Sequence, residues 1–124
     1  MDLKQIVAIV RTDVIEHVEG CLIQIGVPGI TIARVKGFGE YSNFLRPDWL
    51  SSYVRIEIFA DVAQAPQIVD AILEAAHTGT AGDGIVSVLP VDALYRIRDY
   101  RRLSALHGPQ IADEGATAGE AHAV

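Results

Sequence analysis

Cysteine is nearly absent from this chain of 124 residues: Cys21 stands alone, so no intrachain disulfide can staple the fold. Its place in a helical apolar pattern makes it a small buried hydrophobe rather than a catalytic thiol. Aromatic residues make up 6% of the chain and charged residues 21%, little charged surface for the size, which points to contacts between subunits. No apolar run reaches the roughly 18 residues that a membrane span needs, and the first residues lack the basic-then-apolar order of a signal peptide. A cytoplasmic location is therefore expected. Positive charge is also short: 10 Lys and Arg against 16 Asp and Glu leave a net charge of −6, which argues against a nucleic-acid partner. Metal-ligand spacing is missing as well, because His17 and His77 fall on separate helices and His107 and His122 in the tail. Surface or cap roles suit these histidines, and no metal is expected.

What is present suits one domain with a real core, since 50% of the residues are hydrophobic. The run Ile6-Val7-Ala8-Ile9-Val10 is β-branched and reads as a buried strand. Asp13 and Glu16 form an N-terminal capping pattern for a helix whose apolar residues Val14, Val18, Cys21, Leu22 and Ile25 recur at helical steps until Gly26. Residues 30–35 alternate as a second strand, and Gly37-Phe38-Gly39 opens an irregular segment through Ser52. Residues 53–59 alternate cleanly, with Val54, Ile56 and Ile58 on one face and Tyr53, Arg55, Glu57 and Phe59 on the other. Pro66 suits a first helical turn, followed by the stripe Ile68, Val69, Ile72, Leu73 and Ala76. Residues 85–89 form a fourth strand, and 94–98 a short fifth at the edge.

Two βαβ halves in this order predict an α+β, ferredoxin-like split βαβ fold: a four-stranded antiparallel sheet with both helices on one face. The other face is left bare and apolar, so a homo-oligomer is expected. From Asp99 onward order is expected to fade, and residues 103–124 read as a mobile tail, the last dozen or so mostly Ala, Gly, Glu and Thr.

Chemistry is concentrated in Thr78-Gly79-Thr80-Ala81-Gly82-Asp83-Gly84 and in Arg96-Ile97-Arg98. Three glycines between a helix and a strand let backbone N–H groups approach an anion closely, and phosphate is the usual one. Two arginines flanking one apolar residue would point to the same side of a strand and clamp that anion. The same patterns also fit a C-cap with a tight turn and a solvated strand face; their order and spacing together favour the anion site.

With the elements in this order, residues 5–98 resemble the PII signal-transduction family. The resemblance rests on Ile25-Gly26-Val27-Pro28-Gly29-Ile30-Thr31, Val35-Lys36-Gly37-Phe38-Gly39, Arg55-Ile56-Glu57-Ile58, the glycine stretch above, Leu89-Pro90-Val91 and Arg96-Ile97-Arg98. It implies a homotrimer in which a T-loop (residues 38–53) projects to a target, while a B-loop (78–84) and a C-loop (94–102) enclose an adenine nucleotide between subunits. By that resemblance Gly37 and Gly39 border the nucleotide, Gly82, Asp83 and Gly84 cradle its phosphates, and Gly79 belongs to the nucleotide-binding set. Arg96 and Arg98 clamp those phosphates from the adjoining subunit, and Ile9, Thr31, Phe59 and Thr78 line the purine and sugar.

Departures from the family pattern narrow the expectation. Where the family usually has a basic residue and a metal-ligating glutamine after the second glycine, this chain has Glu40 and Tyr41; in place of a phosphate-binding lysine it has Ile85. Each charge-assisted contact is worth on the order of 1.5–3 kcal/mol, so the loss of two weakens a triphosphate by roughly 100- to 10,000-fold. ADP or AMP should compete with ATP, and 2-oxoglutarate sensing through bound Mg-ATP is not expected. The T-loop is short and lacks the tyrosine-bearing stretch that is uridylylated in many members. It carries Tyr41, Phe44, Arg46 and Trp49, which read either as packing within the trimer or as a docking surface for a membrane transporter or regulatory protein. Arg46 or Arg11 could hold a small anion such as bicarbonate beside the nucleotide, in keeping with control of inorganic-carbon uptake or a carboxysome-associated system. Control of nitrogen or ammonium transport or of metal efflux, and a slow nucleotide phosphatase using Asp83 as base, stand as alternatives; no enzyme activity is expected, because no nucleophile or second acid accompanies that carboxylate.

Overall fold

The structure, a computed structural model, describes residues 2–37 and 51–106. Strand β1 (Leu3–Arg11) leads through a 3-10 turn (Thr12–Val14) into helix α1 (Ile15–Gln24), then β2 (Thr31–Gly37). Strand β3 (Ser51–Asp61), helix α2 (Ala65–Ala76) and strand β4 (Gly84–Val91) repeat that order. The four strands form one sheet in the order β2-β3-β1-β4, every neighbouring pair antiparallel. This is the ferredoxin-like arrangement that the two βαβ halves predict.

The core lies between the sheet and the two helices. Period-two alternation turns Ile6, Ala8 and Val10 of β1 and Val54, Ile56, Ile58 and Ala60 of β3 toward the helices, where they meet Val18 and Leu22 of α1 and Ile68 and Ile72 of α2. The opposite face stays half open: Val7, Ile9 and Phe59 are partly buried, while Ile85 and Leu89 are 45% and 41% exposed. Arg55 and Glu57 pair on that face at 2.8 Å.

Local chemistry alters three expectations. Helix α1 begins at Ile15 with no side-chain cap, because the Asp13 carboxylate is taken by the Arg11 guanidinium, Nε to Oδ1 at 3.1 Å and Nη2 to Oδ2 at 2.6 Å. A charge-assisted fork outcompetes a neutral backbone amide for the same oxygens. Tyr53, expected on the open face with Arg55, is 2% exposed. Order also continues past Asp99: β5 (Tyr95–Arg96) pairs with β6 (Arg101–Arg102) in a separate two-stranded hairpin, and Leu106 is buried, its N–H donating to Asp61 Oδ1 at 2.9 Å. Among the described residues no helix is long and apolar enough to cross a membrane.

Candidate functional site

The glycine stretch leaves α2 at His77, whose extended backbone (φ −70°, ψ 127°) ends the helix. Gly79, Gly82 and Gly84 all take positive φ (88°, 99° and 113°), a region that costs other residues strain, so the chain can turn sharply into β4. At Gly84 the requirement is absolute: a Cβ there would stand 1.9 Å from the Ile9 carbonyl oxygen. The missing side chain seats the start of β4 directly on β1, with Gly84 opposite Val10 and Ile85 opposite Ile9.

Asp83 organises the loop from within. Its Oδ2 accepts the N–H groups of Thr78 (2.7 Å) and Gly79 (2.9 Å), its Oδ1 accepts the Thr78 hydroxyl, and His77 Nδ1 stands 4.0 Å from the carboxylate. Partial burial pushes the carboxyl pKa up, but the Thr78 hydroxyl and the Thr78 and Gly79 amides, helped by His77, outweigh it and hold the pKa below 3.8. The Asp83 N–H turns back onto the Thr80 carbonyl at 3.3 Å. Among the described residues, the amides of Thr80, Ala81 and Gly82 have no intramolecular partner, so this turn is the part of the loop able to receive an anion. Asp83 is thus spent on holding the loop, and the loop amides without an intramolecular partner among the described residues are those of residues 80–82.

The other expected residues divide between near and far. Ile9 adjoins Gly84, and Arg11 is close enough to feel the Asp83 charge, although its fork is engaged by Asp13. Thr31 is opposite Glu57 on the edge strand, and Phe59 is opposite Gln5. Gln5 is five residues along β1 from Val10, where the loop joins the sheet, a separation of about 17 Å at 3.3–3.4 Å per residue. Thr31, paired with Glu57 and thus level with Val7, is two strands across from β1, about 10 Å to the side at 4.7–4.9 Å per strand, so one protomer does not gather Thr31 and Phe59 at its own glycine loop. Gly37 closes β2 opposite Ser51, while Gly39, Glu40, Tyr41, Phe44, Arg46 and Trp49 lie outside the described residues. A cleft of about 190 Å³ runs past Leu73, His77, Asp83 and Ile85, smaller than the roughly 300–1,000 Å³ of complete small-molecule sites.

Arg96 and Arg98 do not form a parallel pair on one strand face. Strand β5 ends at Arg96, the next four residues form a turn, and Arg98 is exposed while the Arg96 side chain is 6% exposed. Arg96 grips Asp99, Nε to Oδ1 at 3.2 Å and Nη2 to Oδ2 at 2.8 Å, and the Arg101 N–H adds to Oδ1 at 3.2 Å. The Arg96 hydrogen bond is the main reason that the Asp99 carboxyl titrates lower than usual. Asp99 marks in the sequence only the point where order is expected to fade, although an acid three residues after an arginine in a turn is a recognisable pairing signal. The Tyr53 hydroxyl donates to the Gly82 carbonyl at 2.8 Å, a contact between distant segments that no local pattern reveals.

Comparison with known proteins agrees with this geometry. The family model described as "Nitrogen regulatory protein P-II" matches residues 3–101. The nitrogen regulatory protein P-II of Synechocystis is 34% identical over 103 residues, covering 77% of this chain and 92% of that protein. Its counterpart in Azospirillum brasilense is 33% identical with the same coverage. The crystal structure of Arabidopsis thaliana PII bound to citrate superposes with a TM-score of 0.72 at 35% identity, covering 83% of this chain and 90% of that one. A split βαβ sheet, a glycine loop seated on its first strand and an arginine hairpin after the last thus occur with family-wide sequence similarity, and the chain belongs to the nitrogen regulatory protein P-II family of signal-transduction regulators.

Proposed function

We propose that this chain is a non-enzymatic sensor that binds an adenine nucleotide in crevices between the subunits of a homotrimer and thereby controls a partner protein through the 38–53 loop. The observation that carries this reading is the glycine loop, held in shape by Asp83 with the Thr80, Ala81 and Gly82 amides left to meet phosphate. Preorganised donors bind an anion without an ordering cost at the moment of binding. The small cleft and the separation of Thr31 and Phe59 from the loop favour a site completed by a second copy, with Ile9 and Thr78 on one wall and Thr31 and Phe59 of the neighbour on the other. Arg98 is the exposed arginine of the C-terminal turn and serves as the phosphate ligand, with Arg96 behind it.

ADP and AMP are the favoured ligands, because Ile85 stands where a lysine would meet a terminal phosphate. Bicarbonate is the proposed co-ligand, bound by Arg46 more readily than by Arg11, whose fork Asp13 already fills. The citrate bound by the Arabidopsis protein supports a small polyanion as ligand for this fold. A hydrolytic role for Asp83 is disfavoured by its bonding: both carboxylate oxygens accept donors from the loop, and its lowered pKa makes it a weak base.

The reading is tested by calorimetry with ADP, AMP and ATP, each with and without bicarbonate or 2-oxoglutarate, and by light scattering for the subunit number. The expected result is a trimer that binds ADP or AMP at least as tightly as ATP and leaves ATP intact during incubation with Mg²⁺. A monomer, or a trimer without adenylate affinity, overturns it.

A further inference from the structure

Tyr53 is the residue whose burial the strand pattern does not explain. It alternates out of the core-facing set of Val54, Ile56 and Ile58, yet it is 2% exposed, and its hydroxyl reaches 29 residues along the chain to the Gly82 carbonyl at 2.8 Å. That carbonyl belongs to the same planar peptide unit as the Asp83 N–H, which bonds to the Thr80 carbonyl at 3.3 Å. Because the trans peptide is rigid, its two ends cannot turn independently. Any reorientation of the Gly82–Asp83 unit must break or redirect the bond from Tyr53.

The other side of Tyr53 leads to the root of the 38–50 segment. Strand β3 starts at Ser51, opposite Gly37, so Tyr53 lies two residues into the strand that follows the segment. The adjoining Ser52 carbonyl accepts the Thr12 hydroxyl at 2.7 Å, and Tyr53 itself is opposite Arg11 and Val35. The start of β3 is thus tied on one side to the β1–α1 junction and on the other, through one phenol, to the glycine loop.

We propose that Tyr53 is a positioning residue that couples the glycine loop to the first residues of β3, so that the two segments loosen and tighten together. This rests on the functional reading above only insofar as the coupling reports a bound nucleotide; the mechanical link itself does not. Removing the hydroxyl leaves the ring's packing in place but strands the buried Gly82 carbonyl, so the link is lost while the core remains.

The test is hydrogen exchange by mass spectrometry on the full chain without ligand, comparing the wild type with Tyr53→Phe. Exchange is expected to accelerate at least threefold in both segments, residues 79–83 and 51–53; acceleration confined to 79–83 overturns the coupling. Should Tyr53→Phe fail to fold by circular dichroism, Asp83→Asn loosens the loop from its other side and must still speed exchange at 51–53. With ADP, fluorescence of Trp49, the chain's single tryptophan, is expected to change in the wild type and to lose at least two thirds of that change in Tyr53→Phe. A full response in Tyr53→Phe counts against the proposal, whereas absence of ADP binding in the wild type overturns the nucleotide reading and leaves the exchange result to decide the coupling.

Discussion

Arg96 and Asp99 close on each other across the C-terminal turn, the guanidinium Nη2 lying 2.8 Å from a carboxylate oxygen that neighbours the Arg101 amide contact. A planar fork and a planar carboxylate match at two points, and the arginine side chain is almost wholly buried while doing so. The pair therefore makes Arg96 a strut of its own hairpin, while Arg98, two residues on in the turn, is exposed.

The two arginines should separate by mutation. Arg98→Ala is expected to weaken ADP by at least roughly tenfold, the loss of one charge-assisted contact, while exchange at residues 95–96 stays as in the wild type. Arg96→Lys keeps the charge but cannot span both oxygens of Asp99, and is expected to loosen the hairpin, seen as faster amide exchange at residues 95–102. Calorimetry and exchange on the same preparations check both; equal loss of affinity with unchanged exchange in Arg96→Lys would return Arg96 to the role of direct clamp.

Gly84 and Gly26 give a matched pair for backbone strain. Both have positive φ, 113° and 88°, but a Cβ at Gly26 meets nothing within 4 Å, whereas one at Gly84 collides with the Ile9 carbonyl oxygen. Gly26→Ala should cost about 1–2 kcal/mol, the left-handed penalty alone. Gly84→Ala should cost about 3 kcal/mol or more, since β4 must lift from β1. Urea unfolding midpoints rank the two, and a smaller effect at Gly84 would show that the strand junction yields cheaply.

Acid should unlatch the glycine loop. The folded-state pKa of Asp83 is depressed below 3.8, so its carboxylate stabilises the fold fully at pH values above the unfolded-state pKa, and that contribution fades as pH falls through the folded value. Asp83→Asn removes the charge at every pH. The stability gap between wild type and Asp83→Asn is therefore expected to be held near pH 5 and to shrink below about pH 4. Denaturant titrations at several pH values measure it, and a gap that widens with acid would contradict the assignment.

Much of this architecture was legible because apolar spacing is a local property: Ile6, Ala8 and Val10, or Ile68 and Ile72, announce their faces within a few residues. The glycine loop was legible for the same reason, since positive φ at Gly79, Gly82 and Gly84 is a requirement written into residue type. What escaped depends on competition between side chains. Asp13 reads as a cap until Arg11 claims it, and the grip of Arg96 on Asp99 goes unannounced by the arginine pair itself. Tyr53 escaped because its partner is 29 residues away and is a carbonyl, which leaves no trace in the sequence.

Ile85 offers a gain-of-function test of nucleotide choice. Its side chain is 45% exposed, opposite Ile9 and immediately after Gly84, so a longer cationic residue there has room to extend from the loop without entering the core. A lysine at this place would add a charge-assisted contact to a terminal phosphate, worth on the order of 1.5–3 kcal/mol, or roughly 10- to 100-fold in affinity. AMP has no phosphate that far out, and its affinity is expected to change less than about threefold on screening arguments alone. Ile85→Lys should therefore shift the ATP-to-AMP preference by at least tenfold in calorimetric titrations at fixed ionic strength. An equal increase for all three adenylates would mean that the lysine acts through net charge rather than through the terminal phosphate, and would place that phosphate away from the start of β4.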